Sequence, residues 1–192
     1  MKRTVLTAVV LSLAAAAAFA QQKIQDTFFG LSFGQYYDQA LDLRNIKEHI
    51  SYSSLTSGDG WSRQHLQLYG MEFGGRRWDY ADYYFSPGGC FYKFRVYEAY
   101  RSLEDADKRY VSLQKDLDLK YGDDGGIVME EDDSMDGDRE KSVTYTDADG
   151  RTCKLCVLYT ESSSYDMYYY VMLYYYDGNL QEKAEAEFLQ EL

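Results

Sequence analysis

Two observations predict an α+β fold, mostly antiparallel sheet with about three helices packed against one side of it. Strand-like runs follow one another directly across tight turns, and only a few helical patterns interrupt them. An alternating α/β chain would instead place a helix after each strand. The expected organisation of residues 21–192 is one compact unit or two similar lobes, 21–122 and 123–192.

Residues 1–20 stand apart. Lys2 and Arg3 precede an apolar run from Val5 to Phe19, which closes on Ala18-Phe19-Ala20. A basic start, a short apolar stretch and a small-x-small ending form the layout of a secretory signal peptide. The expected location is therefore the periplasm or the outside. Removing Lys2 and Arg3 with the peptide takes the formal charge from −12 to −14. That acid excess argues against phosphate-backbone binding, so no nucleic-acid partner is expected. No second run approaches the roughly 20 apolar residues of a membrane helix, and the chain is not expected to span a membrane.

After the leader, Thr27 to Phe33 is a short aromatic run suited to a strand, and residues 35–48 show helical spacing through Tyr37 and Leu41. Ser57-Gly58-Asp59-Gly60 reads as a turn. Gln64 to Phe73 suggests a strand bent near Gly70. Residues 78–85 and 90–97 flank Ser86-Pro87-Gly88-Gly89, a hairpin turn holding the only proline. The clearest helix covers 103–121: Ser102 is its N-cap, Ala106, Tyr110, Leu113, Leu117 and Tyr121 form one apolar stripe, and Gly122 stops it. A polar loop from Asp123 to Glu140 leads into strands at 141–147, 151–160 and 166–176. A helix from about 180 follows, with Leu180, Ala184 and Phe188 on one face.

Three cysteines remain in the exported chain, Cys90, Cys153 and Cys156. On a strand, Cys153 and Cys156 are about 10 Å apart, beyond the ~7 Å reach of a disulfide. Cys90 and Cys153 each lie on an apolar strand face. They meet as a disulfide if both faces are core; three buried thiols is the competing reading.

Phe29-Gly30-Leu31-Ser32-Phe33-Gly34 is echoed by Tyr69-Gly70-Met71-Glu72-Phe73-Gly74. The first copy fits the G-x-S-x-G nucleophile elbow, but no central strand precedes it and the echo replaces the serine with glutamate. What repeats is a backbone and apolar pattern, and no catalytic residue is assigned. Asp132, Ser134, Asp136 and Asp138, with Gly137 at the bend, have the oxygen-ligand spacing of a calcium loop, although Val143 stands where a bidentate glutamate belongs. A solvated acidic loop is the plain alternative.

Seven tyrosines fall within residues 165–176. On a strand they alternate between faces: Tyr169, Val171, Leu173 and Tyr175 toward a core, Tyr168, Tyr170, Met172, Tyr174 and Tyr176 toward the other side. Tyrosine combines a broad apolar ring with a hydrogen-bonding tip, which suits binding surfaces. A core filled on both sides is the competing account.

The opening aromatic-x-Gly-Leu-x-Phe-Gly, its later copy, the helix ending at Leu117 to Gly122 and the closing Tyr168 to Asp177 resemble small exported proteins of gut Bacteroidetes. The resemblance implies export and an α+β fold, and brings no activity with it. The function expected is a non-enzymatic exported binding protein whose ligand-contacting residues are Tyr168, Tyr170, Tyr174 and Tyr176, engaging a protein or glycan. A calcium-stabilised module and a carboxylate-dependent hydrolase are the alternatives.

Overall fold

Helix and sheet are arranged as α+β. The computed structural model describes residues 23–54, 64–122, 126–132, 140–161 and 167–190. The expected signal peptide lies outside them, as does the turn at residues 57–60. The chain begins with a small ribbon, β1 (Thr27–Phe28) and β2 (Leu31–Ser32), followed by helices α1 (Tyr37–Asp42) and α2 (Arg44–Lys47). Strands β3 (Ile50–Ser54) and β4 (Gln64–Tyr69) precede a second ribbon, β5 (Glu72–Phe73) and β6 (Arg76–Arg77). Then come β7 (Tyr80–Phe85), β8 (Phe91–Tyr100) and helix α3 (Leu103–Leu117), which runs on as a π-turn over Asp118–Gly122. The last part holds β9 (Val128–Asp132), β10 (Glu140–Thr146), β11 (Arg151–Glu161), β12 (Met167–Asp177) and helix α4 (Gly178–Gln190).

Eight strands form one antiparallel sheet in the order β3-β4-β7-β8-β12-β11-β10-β9. Two four-strand meanders therefore join at the β8–β12 seam, where eight residue pairs from Tyr169↔Tyr100 to Tyr176↔Lys93 are in register. The two parts suggested as lobes share one sheet, and one core cluster runs from Leu66 through Phe94 and Leu173 to Val143. The reason is local: both faces of β7 are buried from Ala81 to Phe85, so that strand needs a neighbour on each edge and cover on each side.

Helix α3 lies on one face. Its stripe of Ala106, Tyr110, Leu113 and Leu117 is buried, and the π-turn carries Tyr121 into the same core. Ser102 caps it, its hydroxyl accepting from the Asp105 amide at 3.4 Å. Helix α4 lies on the opposite face, where Ala184 and Leu180 pack on Tyr84 and Tyr92. This corrects the expectation of helices on a single side. A bulge causes part of the difference. Tyr84 pairs with Lys93 and Phe85 with Phe91, leaving Tyr92 as the extra residue. Phe91 and Phe94 thus both reach the main core, while Tyr92 turns toward α4.

The helical pattern over 35–48 breaks at Leu43, whose extended backbone (ψ 118°) separates α1 from α2. The six-residue echo proves to be a repeated backbone. Gly30, Gly34, Gly70 and Gly74 all have positive φ (95°, 87°, 65° and 61°), a region open to glycine and costly for residues with a Cβ. The aromatic strand expected at 27–33 is accordingly folded back on itself as β1–β2. The strand expected through residue 73 stops at Gly70 and gives way to β5–β6. Phe33 and Phe73, the matching aromatics, both contact Phe28, at 5.4 and 5.9 Å between ring centroids. Phe28 itself stacks on Phe94 at 4.3 Å. Strand β9 was unforeseen, because its residues are exposed along its whole length and carry no apolar alternation.

Candidate functional site

On the face that carries α4, three cross-strand rows follow from register alone. The first is aromatic: Tyr69 opposes Tyr80, Tyr80 opposes Tyr97, and Tyr97 opposes Met172. The second is polar: Gln67, Asp82, Arg95, Tyr174 and Lys154. The third is His65, Tyr84, Lys93, Tyr176 and Thr152. Directly opposed Cβ atoms in an antiparallel pair stand about 5 Å apart, so each row sets its side chains beside one another.

The aromatic row is packed ring to ring. Tyr69 meets Tyr80 edge-on at 5.6 Å, Tyr80 stacks on Tyr97 at 5.0 Å, and Tyr97 meets Tyr170 edge-on at 6.1 Å. Tyr170 in turn lies 6.4 Å from Tyr168. Tyr69 is more than half exposed. Tyr80, Tyr97, Tyr168, Tyr170, Tyr174 and Tyr176 are half-buried. The predicted division of β12 is thus observed: Val171, Leu173 and Tyr175 enter the main core with Tyr169 packed against it, and Tyr168, Tyr170, Tyr174 and Tyr176 take the other face. Met172 is buried on that second face.

The polar row is organised around Asp82, a fully buried carboxylate. Oδ2 accepts from Arg95 Nε at 2.9 Å and Arg95 Nη2 at 2.5 Å. Oδ1 accepts from Gln67 Nε2 at 3.2 Å and faces His65 Nε2 at 3.0 Å. Burial alone would raise this carboxyl. The hydrogen bond to His65 and the charge of Arg95 outweigh it and hold Asp82 below the ordinary carboxylate range. An ionised carboxylate only accepts, so the His65 proton sits on Nε2. The imidazole stacks on Tyr84 at 4.9 Å. Gln67 Nε2 also donates to the Tyr97 hydroxyl at 3.0 Å. Burial, followed by the charge of Asp82, pushes the Tyr97 hydroxyl well up, so it stays protonated.

Cations cluster on this face. The Arg95 guanidinium lies 4.9 Å from the Tyr97 ring and 5.4 Å from that of Tyr84, and Lys93 Nζ lies 4.3 Å from Tyr84. Arg101 approaches Tyr168 at 5.9 Å. Beside them is a polar depression of about 250 Å³ lined by Lys93, Lys154, Tyr174, Tyr176 and Gln181. The arrangement offers ring faces, hydroxyl and amide hydrogen bonds, and positive charge to a ligand lying across interior strands.

The other sequence candidates fare differently. Cys90 and Cys153 do not meet. Cys153 lies in the main core on the α3 side, whereas Cys90 lies beside α4, where burial and then Glu187 raise its thiol. Neither is in a disulfide in this structure, and nor is Cys156. The bulge at Tyr84/Phe85 explains the miss, since it breaks the alternation that put Cys90 on the same face as Phe94. Asp132 stands exposed at the end of β9, and Ser134, Asp136 and Asp138 lie outside the described residues. Among the described residues no cluster of three metal-ligating side chains is present. Ser32 Oγ is hydrogen-bonded to Thr27 Oγ1 at 2.8 Å, across the β1–β2 ribbon.

None of Asp82, Arg95, His65 and Gln67 is among the residues that the sequence singles out for binding. A signal existed. Asp82 is a lone carboxylate within the aromatic run Tyr80-Ala81-Asp82-Tyr83-Tyr84-Phe85, and buried charge in such a setting needs a partner. Compared with known proteins, the chain matches no family model, no curated protein and no solved structure.

Proposed function

We propose that the chain is an exported, non-enzymatic binding protein that contacts a protein or glycan through the tyrosine-bearing face of its sheet. The observation carrying this reading is the line Tyr69–Tyr80–Tyr97–Tyr170–Tyr168, which runs across four strands with its rings in mutual contact and part of each ring open to solvent. Such rings lose little rotamer entropy on binding and contribute both apolar area and hydroxyl contacts. The buried Asp82–Arg95 pair beneath them holds β7 and β8 in register, so the rings are positioned before a ligand arrives, and preorganisation reduces the cost of binding. Export rests on the layout of residues 1–20. The test is the paired substitution Tyr168→Ala and Tyr170→Ala, followed by thermal melting and titration calorimetry against soluble polysaccharides and exported proteins. A folded variant that loses a ligand bound by the parent supports the reading. An unfolded variant would show that these rings are core, and would remove its basis.

A further inference from the structure

On the face of the sheet opposite the tyrosines, we propose a second site: the cavity beneath the β5–β6 ribbon binds a single uncharged aromatic ring of the size of toluene. Three parts of the fold enclose it. Phe73 and Trp78 come from the ribbon and the residues just after it, Leu113 and Leu117 from α3, and Leu173 and Tyr175 from β12. The space is about 140 Å³. An apolar cavity of about 150 Å³ takes up benzene, so the volume suits one ring and its substituent. Residual accessibility in the main core also collects here. Leu117, Leu113 and Leu173 keep 6 %, 5 % and 4 %, whereas Leu66, Phe94, Val96 and Leu155 keep 0 %.

The polar side chains of the lining select an uncharged ligand, because each is already engaged. Arg76 donates to the Asp116 carboxylate and to Ser112 Oγ, the latter at 3.1 Å. Trp78 Nε1 donates to the Phe73 carbonyl at 3.1 Å, and Gln25 Nε2 to the Thr27 carbonyl at 2.9 Å. Lys120 Nζ lies 4.9 Å from the centre of the Tyr121 ring, and the Tyr175 hydroxyl interacts with Cys153. A cation entering here would meet Arg76 and Lys120, and an anion would have to displace Asp116 from Arg76, so either charge would be desolvated without a counter-charge of its own. The aromatic walls favour a ring over an aliphatic chain. Phe73 and Tyr175 meet edge-on at 5.8 Å, and ring ligands gain from offset and edge-to-face contacts with such neighbours.

Backbone geometry keeps the cavity open. Phe73 pairs with Arg76 across Gly74 and Gly75, whose φ values of 61° and 68° make the tight two-residue turn that a hairpin of this length requires. The ribbon is thereby too short to fold down onto α3, and it touches the helix through Arg76, which reaches Ser112 and Asp116. Gly74, Asp116 and Lys120 are exposed members of the lining and mark its rim. Directly after Leu117 the helix widens into the π-turn Asp118–Gly122, which sets Lys120 at that rim. Single π-turns of this kind occur frequently beside functional sites.

The experiment exposes the purified protein at pH 7 to toluene, benzoate or benzylammonium, and reads both the melting temperature in sealed calorimeter cells and the leucine methyl resonances by NMR. Toluene near saturation should raise the melting temperature by about 2 °C or more. It should also move the methyl signals of Leu113, Leu117 and Leu173 and leave those of Leu180, on the other face, in place. Benzoate and benzylammonium should do neither. Leu117→Trp fills the space, and the folded variant should lose both responses to toluene; if that variant does not fold, the methyl shifts of the parent decide. A folded Leu117→Trp protein that still responds, or shifts centred on Leu180, would place toluene elsewhere and overturn the site. An equal response to benzoate or benzylammonium would overturn the selection of an uncharged ring, and no response to toluene by either readout would overturn the proposal outright. The tyrosine face is tested separately, by the Tyr168→Ala and Tyr170→Ala pair, and none of these outcomes bears on it.

Discussion

Asp82 on β7 and Arg95 on β8 are direct cross-strand partners, and both guanidinium contacts fall on a single carboxylate oxygen, Oδ2. The other oxygen is left for Gln67 and His65 on β4. One side chain therefore ties three adjacent strands together beneath the tyrosines. Removing it leaves a guanidinium that is three-quarters buried without its counter-charge. Asp82→Ala should cost about 3 kcal/mol, the low end for breaking a buried pair, because Arg95 keeps some contact with water. Urea denaturation of parent and variant measures it, and a cost under about 1 kcal/mol would show that the pair does not brace the sheet.

The same carboxylate sets an acid limit. Its folded pKa is depressed below the ordinary value of 3.8, so its contribution to stability is present above that value and is lost as pH falls through the folded pKa. Melting temperature should drop below about pH 4. Asp82→Asn should melt lower at neutral pH and lose less on acidification, as a pH series of calorimetric scans would reveal. Parallel curves for the two proteins would assign the acid transition to other carboxylates.

Alternation along β12 separates core from face within neighbouring residues. Tyr175 is buried against Phe28 at 5.1 Å, while Tyr174 is half-buried on the opposite side. Tyr175→Ala should cost about 3–5 kcal/mol, as large aromatic truncations in cores do. Tyr170→Ala should stay near 1 kcal/mol or below. Equal losses would mean that both faces of β12 act as core.

A tight turn supplies another test. The buried carboxylate of Asp147 accepts from three backbone amides: Ile24 at 2.9 Å, and Asp149 and Arg151 at 3.0 Å each. It closes the β10–β11 turn and pins the first described residues to it. Asp147→Ala should lose about 2–3 kcal/mol by leaving those donors short of a partner. Hydrogen exchange should quicken at Ile24 in particular; unchanged exchange there would count against the tether.

Thiol chemistry tests the cysteine assignment. Burial pushes the Cys153 thiol up to about 12, and Cys156 is also buried. In native protein at pH 8, Cys90 should be the thiol that reacts with a disulfide reagent, while denatured, unreduced protein should yield three. One thiol on denaturation would show a disulfide.

Much of the architecture follows from local pattern. The stripe from Ala106 to Tyr121, the Ser102 cap, the Ser86–Gly89 turn and the alternation of β12 each depend on neighbours within a few residues, and each is observed where the spacing predicts it. Phe29 to Gly34 misled because two positive-φ glycines bend a strand-like composition into a turn, a choice made by backbone geometry more than by hydrophobicity.

What only the tertiary structure decided is which residues stand opposite one another. Gln67, Asp82, Arg95, Tyr174 and Lys154 are scattered over 88 positions of the chain, and pairing across β4, β7, β8, β12 and β11 aligns them in one row. Strand order and a single bulged residue set that alignment, and the same bulge sent Cys90 away from Cys153. Side-chain period along one strand is a local property, carried by each residue's own backbone. Register between strands is a property of the whole sheet, because a one-residue slip would turn every tyrosine of the face into the core.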